Sequence, residues 1–555
     1  MTEPRFAKLE AENRRLQNEL SHILGSTRFR VGSCLVNSLE EPRSVFANAQ
    51  ELYSLFREYR MRRIAAEIQI GLEVGQPNNP ISELAQGQTF DVTGSSVKEL
   101  SALKRSVYES GSKLPREGQM TGAFGRTASK RVQELRTLTA AHSSSLFPPP
   151  KSNFAPNDKG EIVMVLHSGL PMQVNGYGVR SDSLLRGLLG MGLRMSAALR
   201  GEDTEAISAP YRAIGDICPE DRTLMAYIDA YAAALETTYE RRPVRLVHGV
   251  SNFVTGIAAG KFARSRGVPF VYEVRGLWEI TRQSVQPNFS GSLGFGVQKA
   301  LETQCAKEAN RVITISGPLK AELVARGVPA DRIDIVGNAT ALPQEGGALL
   351  RTELRTSLGV EDDEVLIGFV GSITSYEGLD ILLKALRRTI GRGCKAKLVV
   401  VGEGEAMHRL REDVRALRLE QYVTLSGALA PRKAARMHTA LDLTAYVRPD
   451  SPVSRLVPPL KPLQSLAYGI PTIVADTPAM TELVGMGVSS GAVLCEPDSV
   501  AALAKTLEGL CRSPARRREL GRLAKIWVRD RATWRHACSK VADIYEEVSG
   551  AYIST

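Results

Sequence analysis

The stretch Arg241–Arg282, RRPVRLVHGVSNFVTGIAAGKFARSRGVPFVYEVRGLWEITR, decides the fold. Its apolar run Val244–Val247 ends in His248, and a helix of small residues follows. A second apolar run, PFVYEV, then delivers Arg275, Trp278, Glu279 and Arg282 together. Apolar strands that alternate with helices make a parallel sheet with right-handed crossovers. In open sheets of this kind, ligand-binding groups collect at the carboxyl ends of the strands. His248 and the Arg275–Glu279 cluster occupy two such ends.

The same texture extends both ways. EIVMVLHS from Glu161 reads as a first buried strand, and NGYGVRSDSLLRGLLGMG as a glycine loop opening a helix. RVITIS closes this series, and a second runs through VLIGFVGS, KLVVVGEG, VTLSG, LTAYV, PTIVAD and GAVLCE. Two series in tandem predict an α/β protein with two Rossmann-like, doubly wound domains, 160–342 and 343–531, and a cleft between them. LPQEGGALL marks the split, and residues 532–555 form a last helix.

The N-terminal part differs. Phe6, Leu9, Asn13, Leu16, Leu20 and Ile23 alternate three and four apart, an a/d seam with Asn at an a position. That spacing predicts a coiled-coil homodimer; a single amphipathic helix packed on its own chain is the alternative. Within 1–75, Leu52, Leu55, Phe56 and Tyr59 share one helical face, while Tyr53, Arg57, Arg60 and Arg63 could touch anionic lipid. Ordinary packing is the simpler account of that helix. Residues 76–159 are rich in Gly, Ser, Asn, Gln and Pro and read as a partly disordered linker.

Composition narrows the class. The 555 residues are 43% hydrophobic and 24% charged, ordinary globular values. No apolar run is long enough to cross a membrane, and MTEPRFAKLEAENRR has no apolar leader core. Seven scattered cysteines without a CxxC pair fit a reducing compartment and no zinc site. The expected location is cytoplasmic, with the inner membrane face as a peripheral alternative. Net charge is +11, yet no basic stripe interleaved with aromatics suggests nucleic acid.

Several residues carry chemistry. N–H groups at Asn175-Gly176-Tyr177-Gly178 can face a phosphate at a helix start, or the loop is simply a tight turn. His248 can donate to a sugar hydroxyl, or it is a core histidine. Arg275 suits a diphosphate through its planar fork, and Glu279 a hydroxyl, unless the two form a surface ion pair. Gly402-Glu403-Gly404-Glu405 lacks the spacing of a dinucleotide fingerprint, so a nicotinamide enzyme is a poor fit.

The wording VHGVSNF, YEVRGLWE, NGYGVRSDSLLRGL, GSITSYEGLD, VGEGE and LVPPLKPLQSLAYGIPTIVAD resembles GT-B glycosyltransferases of the retaining family 4 type, the group 1 glycosyl transferases. The resemblance covers Glu161 to about Val548. It implies that Gly176, Tyr177, Gly178 and Arg180 lie on the acceptor side of the cleft floor, and that His248 lies near the donor sugar. It places the donor on Gly371, Ser372, Glu377, Gly378, Glu403, Gly404, Lys461 and Gln464. The chain departs from the common pattern at Ser372 (often Arg), Glu377 (often Lys) and Gln464 (Glu). It departs again at Asn338-Ala339-Thr340, where NGVD is usual. Charge for the phosphates must then come from Lys461, Arg448, Arg455 or Arg275.

The resemblance implies a retaining transferase that needs no metal or other cofactor and uses a nucleotide diphosphate sugar as donor. Front-side attack, in which the leaving phosphate takes the acceptor's proton, requires no carboxylate nucleophile. The expected acceptor is a glycan, a lipid-linked precursor or a protein in envelope or surface polysaccharide assembly. A degenerate partner subunit and a glycan-binding coiled-coil adaptor are the competing readings.

Overall fold

The computed structural model describes residues 145–148, 159–168, 175–200, 209–215, 217, 223–343 and 348–550, and a parallel pair of two-residue strands, Phe90–Asp91 and Met120–Thr121. That pair belongs to a separate compact unit; all that follows concerns the unit holding the two sheets. The coiled-coil seam, its predicted dimer and the lipid-facing helix within 1–75 lie outside the described residues.

The first sheet has seven parallel strands: β1 Glu161–Leu166, β2 Met195–Leu199, β3 Tyr211–Ala213, β4 Val244–Val250, β5 Phe270–Val274, β6 Arg311–Thr314 and β7 Ile333–Ile335. Their order across the sheet is β3-β2-β1-β4-β5-β6-β7. The second has six: β8 Val365–Val370, β9 Ala396–Val401, β10 Val423–Gly427, β11 Leu443–Tyr446, β12 Thr472–Ala475 and β13 Ala492–Cys495, in the order β10-β9-β8-β11-β12-β13. The order reverses at β1/β4 and at β8/β11, and crevices for ligands open at such switch points. The strands read as nearly unbroken apolar runs because helices cover both faces.

The helices needed below are α1 Gly176–Gly190, α2 Phe253–Arg266, α3 Trp278–Val285, α4 Leu379–Gly391, α5 Lys461–Ala467, α6 Pro514–Arg531 and α7 Trp534–Ser549. One face of the first sheet packs on α2 through Val247, Phe270, Tyr272, Ile257 and Phe262. The other packs on α1 and α7 through Leu246, Val271, Leu184, Val541 and Tyr545. So the last helix returns to the first domain, and its path runs beside the forward crossing: Thr340 N–H donates to Ala532 O at 2.9 Å.

The stretch 76–159 contributes one residue to the first domain's core. Phe147 is buried, its ring edge-on to Phe270 at 5.6 Å, over a glycine (Gly260) where any side chain would collide with it. The Pro-rich context hid an anchor residue. Among the described residues, no helix is long and apolar enough to cross a membrane.

Candidate active site

Alternation along β4 and β5 sends His248 and Glu273 to the same face, toward α1 and α7. Glu273 is fully buried and joins three groups. Arg180 Nε donates to its Oε1 at 2.9 Å, and Arg275 donates to its Oε2 through Nε at 2.9 Å and Nη2 at 2.6 Å. Burial alone would raise this carboxyl, but the Arg275 and Arg180 guanidiniums hold it well below the usual carboxylate range. His248 Nε2 lies 3.4 Å from Glu273 Oε2, and Nδ1 meets the Tyr545 hydroxyl at 2.5 Å. Burial lowers the His248 pKa, so the ring stays neutral at neutral pH.

Both arginines are spent inside the protein. Arg180 also donates to Val336 O at 2.8 Å and Gly337 O at 2.8 Å. Arg275 donates to Tyr177 O at 3.0 Å and Ser181 Oγ at 2.6 Å, with its guanidinium 4.8 Å from the Tyr177 ring centre. The knot therefore ties the glycine loop to the domain junction. These facts correct three expectations. His248 does not end its strand, which continues to Val250, and it is sealed in the core. Arg180 is buried below the cleft floor rather than on it. Arg275 is bound to Glu273 rather than free for a diphosphate, and Glu279, rather than facing a hydroxyl or pairing with Arg275, is buried and accepts from Arg326 Nη1 at 2.7 Å. Glu273, the centre of the knot, was missed. Its signal was a lone acid inside the apolar run FVYEV.

Gly176, Tyr177 and Gly178 do sit at the end of β1, but Gly178 N–H is already capped by Asn175 Oδ1 at 2.9 Å. The rim beside them is aromatic. His167 lies 5.4 Å from the Tyr177 ring and 5.5 Å from Trp278, which is 43% exposed. His167 Nδ1 and Ser168 Oγ are buried without a hydrogen-bond partner. Their place directly after the first strand was the available signal for these two.

In the second domain two glycine loops stack. A Cβ on Gly402 would lie 1.9 Å from Gly371 O, and one on Gly404 2.0 Å from Ile373 O. Gly378 caps α4 in the left-handed region at φ 74°, against Val447 O. This turn puts Glu377 beneath Arg448. Glu377 Oε1 accepts from Arg448 Nη2 at 2.6 Å and from Lys461 Nζ at 2.8 Å, and Lys461 also donates to Ser372 O at 2.8 Å. Burial would raise Glu377, but Arg448 and Lys461 hold it below its ordinary value. Burial pulls Lys461 down to about 8 despite Glu377 beside it. Glu377 Oε2, Arg448 Nε and Thr374 Oγ1 remain buried without partners.

Glu403 is exposed, and the Gln464 side chain makes no hydrogen bond among the described residues. Arg455 is engaged at the surface with Asp450 at 2.8 Å. Of the four cations proposed for the phosphates, Arg448 and Lys461 are thus the pair brought together at the glycine loops. Among the described residues, no group of three or more His, Cys, Asp or Glu is placed to hold a metal ion.

Two family models match in sequence order: a glycosyl transferase 4-like domain over residues 175–339 and glycosyl transferases group 1 over 351–527. The chain is a group 1 glycosyltransferase of the GT-B fold. A D-inositol 3-phosphate glycosyltransferase of Rhodococcus erythropolis is 26% identical over 328 residues, 57% of this chain and 71% of that protein. An uncharacterized glycosyltransferase of Methanocaldococcus jannaschii is 27% identical over 208 residues; the match covers 36% of this chain and 52%, about half, of that relative. HepE of Anabaena, solved with UDP, superposes with a TM-score of 0.56 at 17% identity, covering 70% of this glycosyltransferase and 100% of HepE.

Proposed function

We propose that this glycosyltransferase moves a sugar, with retention of configuration, from a nucleoside diphosphate to a glycan, lipid-linked or protein acceptor in surface polysaccharide assembly. The observation that carries the reading is the Glu377–Arg448–Lys461 cluster under the two stacked glycine loops. It keeps one net positive charge, and two of its polar atoms, with Thr374 Oγ1, have no protein partner. A diphosphate supplies the oxygens that Arg448 Nε, Thr374 Oγ1 and the lysine lack.

Glu377 is one of the departures, with Ser372, Gln464 and Asn338-Ala339-Thr340, that made a degenerate site plausible. Its role here is to hold two cations in place, which supports an active one. Retention by front-side displacement agrees with the carboxylates at hand: Glu273, Glu279 and Glu377 are each bound to arginine. A double displacement needs a carboxylate free to attack the sugar. With His248 sealed in the core, this reading takes the leaving diphosphate as the base.

The test combines binding with stereochemistry. UDP or GDP should raise the melting temperature by mass action, equally with EDTA present, and a panel of nucleotide sugars should include one that is hydrolysed or transferred. NMR of the product should show the donor's anomeric configuration. A shift abolished by EDTA, an inverted product, or no response to any nucleoside diphosphate would each refute part of the proposal.

A further inference from the structure

We infer that α6 is a docking surface for an anionic lipid bilayer, whatever sugar the cleft transfers. The helix PARRRELGRLAKIWVRDR carries seven basic side chains against two acidic ones, a surplus of five where the whole chain has eleven. Its inner face, Leu520, Gly521, Ala524 and Val528, is buried, and Ala524 and Val528 pack with Leu463, Leu466 and Ala467 of α5. Arg518, Arg522, Lys525 and Arg529 recur four, three and four residues apart, so they form one stripe, and all four are exposed.

Three of the stripe's four cations are not consumed by ion pairs. Arg516 is spent on Glu519, Arg517 on the carbonyls of Leu510 and Cys511, and Arg529 on its neighbour Asp530. Arg518, Arg522 and Lys525 have no partner among the described residues. Exposed apolar side chains accompany them. Ile526 on the same helix is 37% exposed, and the turn that packs on α6 offers Met486 at 79% and Val488 at 47%. Met486 is held at φ 71°, a left-handed conformation that a methionine rarely adopts. Nothing in the fold's packing requires a large apolar side chain there.

Cations alone would suit nucleic acid equally. Cations beside Ile526, with Met486 and Val488 exposed on the turn that packs against the same helix, suit the headgroup boundary, where the charges meet anionic lipid and apolar groups enter the acyl edge. Single-strand binders instead expose aromatic platforms, and Trp527, the one aromatic residue of the helix, is half-buried against Gly485. Since α6 packs on α5, which begins with Lys461, docking here would keep the donor loops close to the bilayer.

Flotation of the full chain with phosphatidylcholine vesicles, with and without a third of phosphatidylglycerol, tests this. Binding should need the anionic lipid and fall steeply with salt. Each cation at such a surface contributes about fivefold to partition. The triple variant Arg518→Glu/Arg522→Glu/Lys525→Glu should therefore lose on the order of a hundredfold or more. Met486→Ser/Ile526→Ser should weaken binding with net charge unchanged, and both variants should keep the wild-type melting temperature and its shift with UDP. Undiminished binding by the triple variant, no binding of wild type to anionic vesicles, or displacement from them by an RNA homopolymer at lower phosphate concentration would overturn the inference.

Discussion

Replacing Glu377 by Gln should move the pH dependence of nucleotide binding, and the direction follows from the site. Lys461 has its pKa lowered to about 8 by burial, with Glu377 opposing that fall from 2.8 Å. In the wild type the ammonium form, which the diphosphate needs, dominates at pH 7 and is lost as pH rises through 8. If the bound diphosphate keeps the lysine protonated, affinity for UDP should fall about tenfold between pH 7 and pH 9, the change in free ammonium fraction for a pKa near 8. In Glu377→Gln the lysine loses its counter-ion, and a neighbouring carboxylate typically accounts for about one to three pKa units. The fall should then begin near or below neutral pH, so the variant binds UDP more weakly at pH 7.5 but converges with wild type in mild acid. Isothermal titration from pH 6 to 9.5 reads both curves. A wild-type affinity that is flat across this range, or a variant curve with an unmoved midpoint, would refute the role given to Glu377 and Lys461. Glu377→Lys, the residue more common in the family, should not improve the site: three cations would share one buried corner, and the melting temperature should drop.

Arg275→Ala should cost mainly stability, about 3–5 kcal/mol for breaking a buried pair, read by urea denaturation; unchanged stability with lost transfer would return Arg275 to the cleft. His248→Phe should lower the melting temperature while leaving the turnover of a responsive nucleotide sugar within a few-fold of wild type. A fall of a hundredfold or more, the scale of a lost transition-state contact, would instead put His248 on the sugar. Gln464→Glu adds a carboxylate one helical turn after Lys461 and should weaken UDP binding at pH 7.5, because the cluster has a single net positive charge. Stronger binding would mean that the site lacks an acid there.

The sheets were legible because their strands are continuous apolar runs, and the loops because glycine alone tolerates the stacked approach of Gly371, Gly402 and Gly404. Sequence also narrowed the phosphate cations to four, of which Arg448 and Lys461 stand together. It failed wherever a role depends on which strand face a residue takes. His248 read as a strand terminus because Gly249 breaks the apolar run, yet β4 continues for two residues. Arg275 and Glu279 read as cleft groups because one strand end delivers both with Trp278, but Arg275 precedes α3 and Glu279 lies buried inside it. Each found its counter-charge across the fold, Arg275 on Glu273 and Glu279 on Arg326. The N-terminal seam predicts association by spacing alone and lies outside the described residues.

Glu273 and Glu377 solve the same problem in the two domains. Each is a buried carboxylate that gathers two cations, Glu377 just after β8 at its sheet's switch point and Glu273 on β5, one strand beyond the β1/β4 switch. Their surroundings separate them. Glu273 has both oxygens occupied, and its arginines use their other donors on backbone carbonyls and Ser181, so the knot is closed and structural. Glu377 has one oxygen free, and Arg448 keeps Nε unpaired. An unsatisfied buried polar atom costs about 1–3 kcal/mol, and Arg448 Nε and Thr374 Oγ1 are donors of this kind that a diphosphate oxygen can complete. On the proposed reading these donors hold the leaving diphosphate in the second domain, while the first domain brings to the cleft the aromatic rim of His167, Tyr177 and Trp278, with His167 Nδ1 and Ser168 Oγ unpaired.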